Sequence, residues 1–201
     1  MKGHALRSTT LSRRQVLVAG LAGSCMAWAP RRAAAHALYG PVDPRVPPPA
    51  MTLTTAQGRS VALQTLLKGH ITAVQLMFTG CTATCPIQGA IFADAASRLA
   101  TAGRELRLLS ISIDPLGDGP QALTAWLQRF GASAPRWEAA VPAVNDVDKL
   151  LDFLRGRASG VDRHTAQAFL FDRQARLAFR TTDMPAGGEL AALMRQLADV
   201  R

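Results

Sequence analysis

Cysteine is scarce in this 201-residue chain, which has three in all, Cys25, Cys81 and Cys85. That excludes a disulfide-built scaffold, in which several bridges replace a hydrophobic core. Aromatic residues make up only 5% and include a single tyrosine, too few for a row of rings on which single-stranded nucleic acid stacks. Charged residues reach 18%, too few for a disordered polyelectrolyte, while 48% hydrophobic content suffices for a buried core. No apolar run attains the ~20 residues that span hydrocarbon. The longest, Val16–Ala29, has fourteen residues and is interrupted by Gly20, Gly23 and Ser24. Acidic residues are missing from the first 35 positions, which hold six of the 23 basic ones. The net charge of +9 therefore sits largely in that leader. The rest of the chain has 17 basic and 14 acidic residues, a net of +3, which removes the case for a nucleic-acid partner.

Residues 1–35 have the layout of an export signal: basic n-region, apolar stretch, and A-x-A sites at Ala33-Ala34-Ala35 and Ala35-His36-Ala37. Leu11-Ser12-Arg13-Arg14-Gln15-Val16-Leu17 resembles a twin-arginine signal, the type that carries folded proteins. Cys25 follows Ala22-Gly23-Ser24, a poor match to a lipid-attachment box. The expected location is exported: the bacterial periplasm, with association to the outer face of the inner membrane only where the leader is retained. In that compartment Cys81 and Cys85 are either a structural disulfide, a redox pair or metal ligands.

Residues 36–50 carry five prolines between positions 41 and 49 and are expected to form an extended linker. From residue 51 onward strand-like and helix-like segments alternate. Thr52–Thr55 and Arg59–Val61 flank a Gln57-Gly58 turn and predict a hairpin. Ile71–Phe78 and Leu106–Ile113 are apolar runs of the kind covered on both faces. Helices are expected over Pro86–Thr101, Gln121–Phe130, Val144–Leu154 and Gly188–Val200, a short strand near Trp137, and two late strands over Gln167–Asp172 and Arg176–Thr181. This order predicts an α/β protein with a mixed central sheet flanked by helices, a thioredoxin-like fold with an extra N-terminal β-hairpin over residues 51–201.

The chemistry concentrates in Cys81-Thr82-Ala83-Thr84-Cys85-Pro86, where the first buried strand passes into its helix. A helix N-terminus favours a thiolate, and positions four apart share one face of a helical turn. Two such sulfurs close a disulfide or bind a soft ion; sulfur selects Cu(I) or Zn(II), and an imidazole completes either set. His164 is the candidate third ligand, 79 residues beyond Cys85 but beside it in a thioredoxin-like topology. Thioredoxin-like oxidoreductases place a cis-proline just before the corresponding strand. Here the residues are His164-Thr165-Ala166, which points to metal handling. A purely structural Cys81–Cys85 bridge closes only a five-residue loop and restrains little chain entropy. Asp162 is either a residue that orients His164 or a solvated loop acid, and Asp114 and Asp118 read as turn and helix-cap residues, with a surface role as the alternative.

From about Met51 to Arg201 the chain resembles the Sco/SenC family of copper-binding cytochrome c oxidase assembly factors. The resemblance is carried by Phe78-Thr79-Gly80-Cys81-x-x-x-Cys85-Pro86, Asp114-Pro115 with Asp118, and Asp162-Arg163-His164-Thr165 ahead of an apolar strand. It implies that Cys81, Cys85 and His164 bind one copper ion, Cu(I) or Cu(II), with a Cys81–Cys85 disulfide in the oxidised, metal-free form. It also implies a copper donor protein upstream. Downstream it implies a copper-accepting apo-protein, an oxidase subunit whose dinuclear copper site is loaded or whose thiols are reduced. Family members commonly carry the histidine directly after Val-Asp, whereas Arg163 intervenes here. Two other readings use the same residues: a metal-free thiol–disulfide reductase of exported proteins, with Cys81 and Cys85 catalytic, and a copper-responsive redox sensor.

Overall fold

A computed structural model describes residues 39–132, 134–159 and 163–200. The leader with its cleavage sites, Cys25, and Asp162 lie outside the described residues. Eight strands form one sheet in the order β1-β8-β7-β4-β5-β6-β2-β3. They are β1 (Gly40–Val46), β2 (Thr52–Thr55), β3 (Ser60–Ala62), β4 (Ile71–Met77), β5 (Leu106–Ser112), β6 (Trp137–Pro142), β7 (Ala168–Phe171) and β8 (Leu177–Arg180). The helices are α1 (Leu63–Leu67), α2 (Thr84–Arg98), α3 (Pro120–Arg129), α4 (Val144–Leu154) and α5 (Gly187–Asp199). β4, β5 and β6 run parallel, whereas β7 is antiparallel to β4 and β2 to β6, so the sheet is mixed, as expected.

All seven residues of β4 are buried, the outcome for an apolar strand covered on both faces. Alternate side chains feed two cores. On one face Ile71, Ala73 and Met77 pack with Phe92 of α2, Trp126 of α3 and Leu190 of α5. On the other, Val74 and Leu76 pack with Leu63 and Leu67 of α1 and Leu150 and Leu154 of α4. Several aromatic rings meet in the core: Phe92 packs at a tilt on Trp137 (centroids 5.9 Å apart) and Trp126 meets Phe130 edge-on at 4.8 Å. The Nε1–H groups of Trp126 and Trp137 donate to Ser110 Oγ, at 3.3 Å and 2.9 Å.

The N-terminal hairpin is present as β2–β3, but two features depart from the sequence expectation. The proline-rich segment is not a bare linker: Gly40–Val46 is the edge strand β1, paired antiparallel with β8 through an irregular register. Proline is admissible there because the outer side of an edge strand has no partner needing its missing N–H. The second is α1, a single turn whose Leu63 and Leu67 are both buried, too short to show a period in sequence.

β1 is also pinned from its side chain. Arg45 Nη1 donates to Asp172 Oδ2 at 3.1 Å, while the β7–β8 turn gives the same carboxylate the N–H groups of Gln174 and Arg176 and the Arg176 guanidinium. Burial alone raises the pKa of Asp172, but these donors outweigh it and hold the carboxyl below its ordinary range. Such a group contributes stability that is fully present above its unfolded pKa of ~3.9 and is lost as pH falls through the folded value. Asp172→Asn is therefore expected to be less stable than the parent at neutral pH and to converge with it in strong acid. Urea midpoints across a pH series check this; a difference independent of pH would show that the carboxylate's charge is not what matters.

Candidate metal centre

The end of β4 passes into α2 through a tight turn, Phe78–Cys81, closed by the Cys81 N–H donating to the Phe78 carbonyl at 3.1 Å. α2 starts only at Thr84, with Ala83 at its N-cap and no side chain capping it. Cys81 thus precedes the helix instead of sharing a helical face with Cys85; the turn, not the helical repeat, brings the two together. The Cys85 N–H donates to Cys81 Sγ at 3.4 Å, so sulfur takes one of the donors that a helix N-terminus leaves over. Pro86 stands in the same first turn, where its missing N–H costs nothing. Both cysteines are buried, at 4% and 0% exposure.

His164 arrives from the other side. It forms a bridge with Arg157, fastened by the Ala158 N–H to the Arg163 carbonyl at 3.1 Å and the Thr165 N–H to the Gly156 carbonyl at 2.8 Å. Arg163, the residue inserted ahead of the histidine, takes a left-handed conformation (φ 56°). Gly156 lets the loop lie close on β4: a Cβ on it would fall 2.7 Å from Leu76 Cδ1, so the leucine side chain would have to shift. Arg157 holds the loop to α4 by ion pairs with Asp152 (2.6 Å) and Asp148 (2.9 Å), whose hydrogen bonds raise its pKa further.

The geometry at the imidazole is informative. His164 Nδ1 lies 2.9 Å from the Thr165 carbonyl, which only accepts, so Nδ1 carries the proton. The other nitrogen, Nε2, faces Cys85 Sγ at 3.6 Å and is the one that carries the lone pair when the ring is neutral. A backbone carbonyl fixing one ring nitrogen while the other is offered is the usual arrangement of a metal-binding histidine. Phe78 meets the ring edge-on, with centroids 6.4 Å apart. Cys81 and His164 thus each contact Cys85, and all three are at 4% exposure or less, although among the described residues no three such side chains are already arranged around a metal position. Their donors, two sulfurs and one imidazole nitrogen, are the set a soft ion selects.

Polar residues that sequence reading passed over complete the frame. Gln88, one turn beyond Cys85, is buried and donates to the Gln167 carbonyl at 3.0 Å, tying α2 to the segment that carries His164. A polar residue among the buried positions 85, 89 and 92 of that helix was the available signal. Asp118 is not a helix cap: Gly119 is the N-cap of α3 and has no side-chain cap bond. Its carboxylate instead accepts from Thr79 and Ser112. Asp114 has the expected turn role, accepting the Gly117 N–H at 3.2 Å.

The SCO1/SenC family profile matches residues 48–199. The chain belongs to the SCO1/SenC family. It is 29% identical over 87 residues to the SCO1 protein homolog of Bacillus subtilis (strain 168), a match covering 43% of this chain and 45% of that relative's length. Among solved structures it is similar to a SCO1/SenC family lipoprotein from Bacillus anthracis, with a TM-score of 0.66 and 21% identity over 79% of this chain and 98% of that one. It is also similar to Bradyrhizobium japonicum ScoI with copper bound, with a TM-score of 0.63 and 22% identity over 76% and 99% of the two chains. The family's fold is thioredoxin-like, and this chain shares it. The family match begins after β1, so the edge strand lies outside the part matched.

Proposed function

We propose that this protein is an exported copper-binding assembly factor that holds one copper ion through Cys81, Cys85 and His164 and passes it to an apo-protein. The single observation that supports the reading is the contact of buried Cys85 with both His164 Nε2 and Cys81 at the mouth of a thioredoxin-like strand–helix turn. The copper-bound state of a relative with the same fold supports the choice of copper over zinc. Copper is cargo here. Three donors leave its shell incomplete, so an incoming thiolate or imidazole displaces them stepwise. The recipient we propose is an oxidase subunit with a dinuclear copper site, and the source a copper donor protein. Binding requires both cysteines reduced, so cargo loading and the Cys81–Cys85 disulfide are alternatives of one site. No helix among the described residues is long and apolar enough to cross a membrane; attachment to the outer face of the inner membrane rests on the leader.

The test is to load the reduced protein with Cu(I) under anaerobic conditions, dialyse, and quantify metal. One copper per chain is expected for the parent protein, and none for the disulfide form or His164→Ala. A folded, fully reduced parent that retains no copper would overturn the reading and leave the dithiol as a redox pair, the thiol–disulfide reductase alternative. Turnover of a disulfide substrate then identifies that activity.

A further inference from the structure

We propose that Asp118 is a positioning residue for Cys81: its buried carboxylate clamps Thr79, the corner of the turn that delivers the sulfur. In its copper readout the proposal rests on the function above; in its thiol readout it stands alone.

Asp118 is 2% exposed, yet it takes part in none of the ion pairs among the described residues. A carboxylate buried without a cation is costly unless hydrogen bonds replace the lost water. Here three donors do so. The Thr79 N–H reaches Oδ2 at 2.9 Å, the Thr79 hydroxyl donates to Oδ1, and the Ser112 hydroxyl donates to Oδ2 at 2.6 Å. None of the three belongs to α3, the helix that Asp118 precedes. Ser112 ends β5 opposite Met77, the end of β4, so the carboxylate is seated on the ends of two central strands. From that base it grips Thr79 at two points, backbone and side chain. Thr79 is the second residue of the Phe78–Cys81 turn, and only the exposed Gly80 separates it from Cys81. Thr79 is thus the last side chain anchored to the sheet before the sulfur.

The carboxylate also explains why a neutral amide is an incomplete substitute. Asparagine offers one accepting oxygen, sufficient for the Thr79 N–H and Ser112, and sets an N–H₂ against the Thr79 hydroxyl, which must turn from donor to acceptor. The order expected for the cysteine geometry is therefore Asp, then Asn, then Ala.

The experiment compares Asp118→Ala, Asp118→Asn and Thr79→Val with Asp172→Ala. Asp172 is a second buried carboxylate, satisfied at the β7–β8 turn and outside the cysteine site. Three quantities are read on each: thermal midpoint, the Cys81–Cys85 thiol–disulfide equilibrium in glutathione buffer without metal, and Cu(I) affinity against a chelator. Asp118→Ala is expected to shift the thiol–disulfide equilibrium and the copper affinity by ~10–100-fold each, the range for removal of a group that orients a ligand. Asp118→Asn and Thr79→Val fall between it and the parent. Asp172→Ala lowers the midpoint but leaves both site readouts within about two-fold, as for distant sites. Site readouts that move alike in the two alanine variants, or a folded Asp118→Ala that moves neither, would overturn the clamp. Should Asp118→Ala fail to fold, Asp118→Asn and Thr79→Val decide on the same criteria. Should the parent bind no copper, the copper reading fails by itself, and the metal-free equilibrium still decides the clamp.

Discussion

Cys85→Ser is expected to abolish copper retention by the reduced protein, with a loss in affinity of well over 100-fold. Removing a group that merely orients a ligand costs about 10–100-fold in metal affinity, and deleting the ligand itself exceeds that. Cys85 is the hub of the site: its sulfur faces His164 Nε2 at 3.6 Å, and its own N–H binds the Cys81 sulfur at 3.4 Å. Serine preserves the backbone N–H and nearly the same volume, so the fold and the position of Cys81 are retained. What is lost is a soft, ionisable donor. A hydroxyl does not deprotonate near neutral pH and is a poor ligand for Cu(I). The same substitution ends formation of a Cys81–Cys85 disulfide, because only one of its two sulfurs remains. Metal analysis after dialysis, with circular dichroism to verify folding, checks the outcome. Stoichiometric copper in the variant would remove Cys85 from the donor set and require a different site.

Phe92→Ala is expected to destabilise the protein by about 3–5 kcal/mol, the range for deleting a buried aromatic ring. Phe92 is 0% exposed and packs on Trp137 at a centroid distance of 5.9 Å, in the core between the sheet and α2, α3 and α5. Its neighbours belong to different elements, so none can move into the space without dragging a strand or helix along. The cavity lies under the same helix that carries Cys85, two turns earlier. Copper affinity measured where the variant is still folded should change little, because the two side chains share no hydrogen bond. Urea unfolding of the metal-free reduced protein reads the stability change. A loss below about 1 kcal/mol would mean that the core closes around the gap, and that packing under α2 is looser than the density of native interiors implies.

Much of the fold was legible because the periodicities are long and clean. Ile71–Phe78 and Leu106–Ile113 read as doubly covered strands and are β4 and β5 of the parallel centre. The helix read over Val144–Leu154 coincides with α4, whose Leu150, Leu151 and Leu154 are buried on one side. Short or rule-breaking segments were not legible. The prolines of Gly40–Val46 argue against a strand, and the pairing exists only because β8 offers an edge and Arg45 finds Asp172. α1 has one turn and thus no period. Helix α2 begins two residues earlier than Pro86 because proline is admitted within a first turn, not only at its opening.

The site divides in the same way. Residue types and spacing singled out Cys81, Cys85 and His164 as candidate ligands, because a thiol pair at a strand–helix junction and a histidine ahead of a late strand are soft donors that a thioredoxin-like topology places near one another. Their order along the chain, set on an alternating pattern of strands and helices, determined that they would meet. Tertiary structure decided how. It put Cys81 in a turn ahead of the helix, turned Nε2 rather than Nδ1 toward Cys85 by giving Nδ1 a carbonyl, and set a glycine at 156 where the histidine loop lies on β4. It also converted Asp118 from an apparent helix cap into a strut beneath the cysteine turn. The physical reason is one of range. Local periodicity and donor chemistry are properties of neighbouring residues, whereas a hydrogen bond between positions 79 and 118, or 88 and 167, depends on which strands lie side by side.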